Sequence, residues 1–200
     1  MKKEFFKNND NQSAIEAQYE AQKIAFAPII FQVARTMRDL EILEILSKNK
    51  NGLTYDELAK LTNLTKYAIQ VLCETALSAN IISFEDEKVY LTKIGFFINS
   101  DKMTNTNMNY NHHVNYQGLF YLEESIKNGK AEGLKVFSDC ETIYPALSTL
   151  PKNAKKSWFD FDHLYSDSGF PKAIKILKNL NPKSILDIGG NTGKFASLFA

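Results

Sequence analysis

The stretch Ser184-Ile185-Leu186-Asp187-Ile188-Gly189-Gly190-Asn191-Thr192-Gly193-Lys194-Phe195 constrains the fold more than any other part of the chain. Residues 184–187 read as a short buried strand led by Ile185 and Leu186, and residues 195–200 continue as a helical run. A glycine turn joins them. Gly189 and Gly193 lack a Cβ, so the backbone can turn sharply there and a ligand can approach it closely. The start of the next helix offers free N–H groups to such a ligand. Strand, glycine turn and helix in this order open a layered α/β domain. An ordinary strand–turn–helix connection with no ligand has the same local pattern.

The spacing is Asp-x-Gly-Gly-x-x-Gly rather than Gly-x-Gly-x-x-Gly. A carboxylate at Asp187, two residues before Gly189, suits a cationic or hydrogen-donating ligand better than a pyrophosphate. The unit reads as the first β-α step of a Rossmann-like domain. One strand and about two turns of helix cannot close such a domain, which needs at least three strands or a packing partner. The expectation is therefore that these residues are the N-terminal part of a longer protein.

Lys and Arg number 24 against 23 Asp and Glu, a net charge of +1. A chain this neutral has no general attraction to nucleic acid or to an anionic membrane. No apolar run reaches the roughly 18 residues needed to span a bilayer, and residues 1–7 turn polar at once, with no signal-peptide core. The cytoplasm is the default location. Cys73 and Cys140 are far apart in sequence and read as reduced, buried side chains rather than a disulfide.

Residues 1–12 form a polar, Asn-rich tail. Ser13 with Glu16 has capping-box spacing and starts a helix. Pro28 either kinks that helix or opens a second one. The following run, Ile29, Ile30, Val33, Met37, Leu40, Leu43 and Leu46, is apolar around much of its circumference and needs cover on more than one side, as a core helix or a subunit interface. Gly52 is expected to end it. Thr54 with Glu57 repeats the capping-box spacing, a turn follows at residues 63–65, and a longer helix covers residues 66–79. Residues 81–84 and 88–91 read as two strands joined by Glu85-Asp86-Glu87. Helix, turn, helix and hairpin make a winged helix. Its second helix carries Lys66, Gln70 and Glu74 and no Arg, and the wing tip is acidic, so base reading and phosphate contact are both disfavoured.

Residues 99–111, rich in Asn, read as a linker or exposed loop. His112 and His113 are adjacent, point about 100° apart on a helix, and have no further ligand at metal spacing; no metal site is expected. A helix over residues 114–127 stops at Gly129. A later helical stretch carries Trp158, Phe159, Phe161, Leu164 and Tyr165, which pack as core or line a pocket. Phe170-Pro171 opens a last helix, ended by Asn181-Pro182.

This order of parts resembles the S-adenosylmethionine-dependent O-methyltransferases with an N-terminal winged-helix dimerisation domain. These include plant phenolic methyltransferases, acetylserotonin methyltransferase and many bacterial natural-product enzymes. The resemblance covers nearly the whole chain. It rests on Ala27-Pro28, on Gly52-Leu53-Thr54-Tyr55-Asp56-Glu57-Leu58-Ala59, on Leu91-Thr92-Lys93-Ile94-Gly95, and on Asp187-Ile188-Gly189-Gly190. At Asn191 the chain departs from the family's third Gly, and Asn is the residue that best tolerates a left-handed backbone after Gly.

The resemblance implies a mostly α chain with a small β-wing, followed by the first β-α unit of a Rossmann-like methyltransferase domain. It implies a dimerisation domain over residues 1–100, a helical connecting region over 101–180 and the start of the donor-binding domain over 181–200. Asp187, Gly189, Gly190, Gly193 and Tyr165 are implied to hold S-adenosylmethionine, and Phe161 to line the acceptor pocket. The implied partners are a small-molecule acceptor and a second copy of the chain, paired through the N-terminal helices, with no nucleic acid and no membrane. The implied activity is methyl transfer to a hydroxyl. The base and the ribose-binding acid of that family fall beyond residue 200, so residues 1–200 alone are expected neither to bind the donor tightly nor to catalyse. A winged-helix regulator and a non-catalytic dimerisation module are the alternatives.

Overall fold

The computed structural model describes residues 11–200; the polar tail read over residues 1–12 lies almost entirely outside the described residues. Two compact units divide the chain, Met1–Asp101 and Lys102–Ala200.

The first unit opens with α1 (Ala14–Asp39). The Ser13 hydroxyl accepts from the Glu16 N–H at 3.2 Å, and the Glu16 carboxylate accepts from the Ser13 N–H at 2.8 Å. Both orphan donors are satisfied, as the capping-box spacing requires. Pro28 lies inside this one helix and does not start a second. The break comes later, at Leu40 and Glu41, where Glu41 takes a left-handed backbone with φ +59°. Neither residue is a usual helix breaker. The turn aims α2 (Ile42–Lys48) so that Ile42, Leu43 and Leu46 are buried. Burying each such side chain is worth about 1.5–3 kcal/mol, against roughly 1–2 kcal/mol for one left-handed residue. The helix therefore ends at Lys48, not at Gly52.

Thr54 and Glu57 close a second capping box on α3 (Tyr55–Thr62), and Thr65 caps α4 (Lys66–Ser78). β1 (Ile82–Glu85) and β2 (Lys88–Leu91) pair antiparallel, Ile82 opposite Leu91 and Glu85 opposite Lys88. Leu53 adds a bridge to Val89, with N–H···O distances of 3.1 and 2.8 Å in the two directions. Asp86 and Glu87, at φ +47° and +60°, form a two-residue hairpin turn of the kind that usually takes Asn-Gly. Gly52 has a different task from ending a helix. Its φ is +72°, and a Cβ there would lie 2.6 Å from the Tyr90 ring.

Thr92 caps α5 (Lys93–Ser100). Its hydroxyl lies 2.7 and 2.8 Å from the carbonyl oxygens of Asn80 and Ile81 and accepts from the Gly95 N–H at 3.2 Å. One threonine thus joins the end of the α4–β1 connection to the start of α5. The core comprises Met37, Ile42, Leu43, Leu58, Ile69 and Val89, all fully buried. The first half of α1 is outside it. Ile15, Tyr19, Ile24, Phe26 and Ile29 are exposed, Ile15 to 80% and Ile24 to 76%.

In the second unit, residues 102–110 form α6 (Lys102–Tyr110) and continue into a π-helical turn at Asn111–Asn115. The linker read over residues 99–111 is therefore wrong. Asn has low helix propensity, but tertiary contacts override it: Met108 is buried and Tyr110 stacks on Phe161 at 4.0 Å. The Asn side chains also bond along the helix, Asn111 to the Asn107 carbonyl and Asn115 to Asn111. Residues 114–127 form no single helix. A 3₁₀ turn at Gly118–Tyr121 separates the π-helical turn from α7 (Leu122–Asn128), which ends at Gly129 with φ +61°.

A second 3₁₀ turn (Glu132–Val136) and α8 (Ile143–Ala146) lead to α9 (Lys152–Ser166) and α10 (Phe170–Leu180). Asn181 ends α10 in the left-handed region. A final helix, α11 (Lys194–Phe199), follows the glycine turn. Residues 184–187 form no strand, contrary to the sequence reading, and Leu186 and Ile188 are 83% and 86% exposed. A strand is completed by the ladder of a neighbour, and among the described residues the one sheet is the β1–β2 pair. No helix of the described residues is long and apolar enough to cross a membrane.

Candidate functional site

The glycine turn follows from three left-handed residues, Gly189 at φ +74°, Asn191 at +48° and Gly193 at +74°. The Gly193 N–H donates to the Gly190 carbonyl at 2.7 Å and closes the turn. Gly190 has no positive φ, but a Cβ there would lie 2.6 Å from Asp187 Oδ2. The Asp187 carboxylate thus lies over Gly190, at the end of an exposed side chain that a Cβ there would displace. At Gly189 and Gly193 a Cβ would meet nothing within 4 Å. Glycine is needed there for its backbone conformation, and the side facing away from the chain is open to an approaching molecule.

Helix α9 holds the turn from one side. Asn191 Nδ2 donates to Asp162 Oδ2. Thr192 Oγ1 lies 3.3 Å from His163 Nε2, and His163 Nδ1 lies 3.0 Å from Asp167 Oδ1. Lys194 Nζ pairs with Asp167 Oδ2. The Lys194 ammonium, and after it His163, hold the Asp167 carboxyl below the usual carboxylate range. Phe170 and Phe195 meet edge to face at 5.2 Å, joining α10 to α11.

Phe161 and Tyr165, four residues apart, share a different face of α9 from His163 and Asp167. Phe161 lies 4.9 Å from Tyr165 and stacks on Tyr110 of α6, and the Tyr165 hydroxyl bonds with the Asn107 amide at 2.9 and 3.0 Å. The structure therefore brings Asp187, Gly189, Gly190 and Gly193 together at one turn. It bonds Tyr165 to Asn107 of α6, and it brings Asp162, His163 and Asp167 of α9 to the turn. The His163–Asp167 spacing of four residues was visible in the sequence. Their pairing with residues 27–29 positions further on was not.

One helical turn before Asp162, Trp158 lines a cavity of about 470 Å³. Its other walls include Val114, Leu119, Leu134, Phe137 and Tyr144, with Glu141 as the one charged lining residue among the described residues. Gly118 and Gly133 allow its two 3₁₀ walls to touch. A Cβ on Gly133 would lie 2.7 Å from the Gly118 carbonyl oxygen. The volume suits a small organic ligand, and the apolar walls suit a ring system.

Residues 18–89 match the family model of the Dimerisation2-like domain. That span takes in most of α1 and ends within β2. No curated protein matches the chain in sequence. Among solved structures, the chain is similar to the S-adenosylmethionine-dependent methyltransferase SibL in its apo form (TM-score 0.64, 19% identity, 88% of this chain and 52% of that one). It is similar to the mitomycin 7-O-methyltransferase MmcR (TM-score 0.63, 13% identity, 92% of this chain and 55% of that one). It is also similar to human N-acetylserotonin methyltransferase in complex with SAM (TM-score 0.63, 12% identity, 96% of this chain and 57% of that one). At these identities the likeness is one of fold, and the chain spans about half the length of the proteins it matches.

Proposed function

We propose that the chain is the N-terminal part of an S-adenosylmethionine-dependent methyltransferase that methylates a hydroxyl of a small molecule. The carrying observation is the Asp187 carboxylate folded over Gly190 at a turn whose outer face, at Gly189 and Gly193, is open. Fold likeness to SibL, MmcR and the human N-acetylserotonin enzyme supports the same reading. In this reading residues 181–200 begin a Rossmann-like domain. The exposed Ile176, Leu180, Leu186, Ile188 and Leu198 are then the faces that further strands and helices cover.

The residues at the turn fit the donor. S-adenosylmethionine, when bound, supplies a methyl group already activated on a sulfonium. Asp187 would hold its cationic amino-acid end, and Gly189 and Gly193 would let it lie against the backbone. The apolar cavity beside Trp158 would take the acceptor against its walls. What the chain then contributes is alignment. Tyr165 would stand against the donor and Phe161 would line the acceptor pocket, while their contacts with Asn107 and Tyr110 of α6 fix the rotation of α9.

The first unit is, in this proposal, a winged-helix module that pairs two copies of the chain through the exposed half of α1. Its Dimerisation2-like match supports that role. A DNA-reading role is disfavoured by charge. The single lysine of α4, Lys66, is paired with Asp56 at 2.7 Å, and the hairpin turn carries Asp86 and Glu87.

Isothermal titration of the full-length protein with S-adenosylmethionine tests the assignment. Asp187→Asn should weaken binding roughly tenfold or more, the scale of a hydrogen bond to a charged group. A full-length wild type that gives no binding heat and no methyl transfer to a panel of phenolic and alcoholic acceptors would sink it.

A further inference from the structure

Asn191 is the position where the turn departs from an all-glycine motif, and its geometry shows what the side chain does there. The backbone at Asn191 is left-handed, φ +48°. Glycine would adopt this without strain, so backbone conformation alone gives no reason for Asn. Its amide, however, donates to the Asp162 carboxylate of α9 across 29 residues of sequence. The next residue, Thr192, reaches His163, the neighbour of Asp162, at 3.3 Å. Lys194 reaches Asp167, one turn further along the same helix, and Asp167 also holds His163 at 3.0 Å. Three of four consecutive residues of the turn and helix start thus reach one side of α9, while residues 184–187, which should anchor the turn from the other side, form no strand.

We infer that Asn191 and Asp162 form a polar latch that fixes the glycine turn against α9, with Thr192–His163 and Lys194–Asp167 as its second and third contacts. Asn191 is a positioning residue. It touches no reacting atom, and it sets where the Asp187 carboxylate and the bare backbone of Gly189 and Gly193 stand. Asn at this position is therefore a gain, not decay of a cofactor site. The consequence runs against motif-based expectation: restoring the glycine, Asn191→Gly, should damage the turn. Glycine removes the amide that Asp162 accepts, leaves that carboxylate unpaired, and adds backbone freedom to the unlatched state. The link to donor binding rests on the function proposed above; the latch itself does not.

The test uses amide hydrogen exchange of the full-length protein without ligand. The Gly193 N–H, bonded to the Gly190 carbonyl, and the Ser197 N–H, bonded to the Gly193 carbonyl, report the closed turn. Asn191→Gly and Asp162→Ala should each speed exchange at these amides roughly threefold to tenfold, the scale of one lost charge-assisted hydrogen bond at a solvent-exposed site. The double variant should be no faster than the worse single one, because both remove the same bond. Asp162→Asn keeps an acceptor oxygen and should restore most of the protection, which a merely structural defect in α9 would not allow. An unchanged rate at the Leu150 N–H, bonded to the Ala146 carbonyl in the same unit, confirms that the fold is intact. Exchange at Gly193 and Ser197 that stays at the wild-type rate in Asn191→Gly, or additive effects in the double variant, overturns the latch. A parallel titration with S-adenosylmethionine separates the two claims. Faster exchange with no donor binding in the wild type keeps the latch and removes the methyltransferase reading.

Discussion

Gly95→Ala sets two local rules against each other, and the structure decides the sign. Gly95 sits in α5, where alanine is ordinarily favoured over glycine by about 0.5–1 kcal/mol. Its backbone is not left-handed, so helix propensity alone predicts stabilisation. A Cβ there, however, would lie 2.3 Å from the Ile81 carbonyl oxygen and 2.5 Å from Leu91 Cδ1. The carbonyl is backbone at the entry to β1, and it also holds the Thr92 hydroxyl at 2.8 Å and the Thr92 N–H at 3.3 Å. Forcing an extra methyl into such a contact costs about 1–3 kcal/mol, and disturbing the threonine's bonds costs roughly 1 kcal/mol more. After the propensity gain, the net loss is about 1–3 kcal/mol. Exchange of the Val89 N–H, which is bonded to Leu53 at 2.8 Å, follows opening of the first unit. It should accelerate by roughly fivefold to 150-fold at about 1.4 kcal/mol per decade. Slower exchange in Gly95→Ala, the result that propensity demands, would refute the packing argument.

Three more outcomes are expected. The Thr54 N–H and hydroxyl hold the Glu57 carboxyl below its ordinary value of 4.5. A carboxylate depressed in the folded state adds stability above its unfolded pKa, and this is lost as pH falls through the folded one; thermal melts from pH 7 to pH 3 should therefore show a shallower acid loss in Glu57→Gln than in the wild type. Ile24→Asp changes a residue 76% exposed in α1, so it should leave the melting temperature of a lone copy unchanged while sedimentation shows the proposed dimer dissociating. Burial pushes the Cys73 thiol up to about 12, so iodoacetamide under native conditions should label the half-buried Cys140 and spare Cys73.

Local rules read from the chain hold wherever the partner is a few residues away. The caps at Ser13 and Thr54, the turn of the β1–β2 hairpin, the stop at Gly129 and the Phe170-Pro171 helix start are each settled within one turn of backbone. That is the range over which spacing and side-chain type fix a hydrogen bond. The glycine turn is legible for the same reason, because left-handed backbone at Gly189, Asn191 and Gly193 depends on the residue itself.

Tertiary structure decided the rest. The Asn-rich stretch after residue 99 is helical because Met108 and Tyr110 pack inward and their burial outweighs weak propensity. The first long helix breaks at Glu41, with no glycine or proline to announce it, because Ile42, Leu43 and Leu46 gain more by entering the core than one strained residue costs. Residues 184–187 carry a strand's side chains but form no strand, since a ladder needs a second backbone beside it. The contacts of Asn191, Thr192 and Lys194 with α9 join residues 27–29 positions apart. No periodicity or spacing encodes such a meeting, which exists only once α9, α10 and the turn have packed.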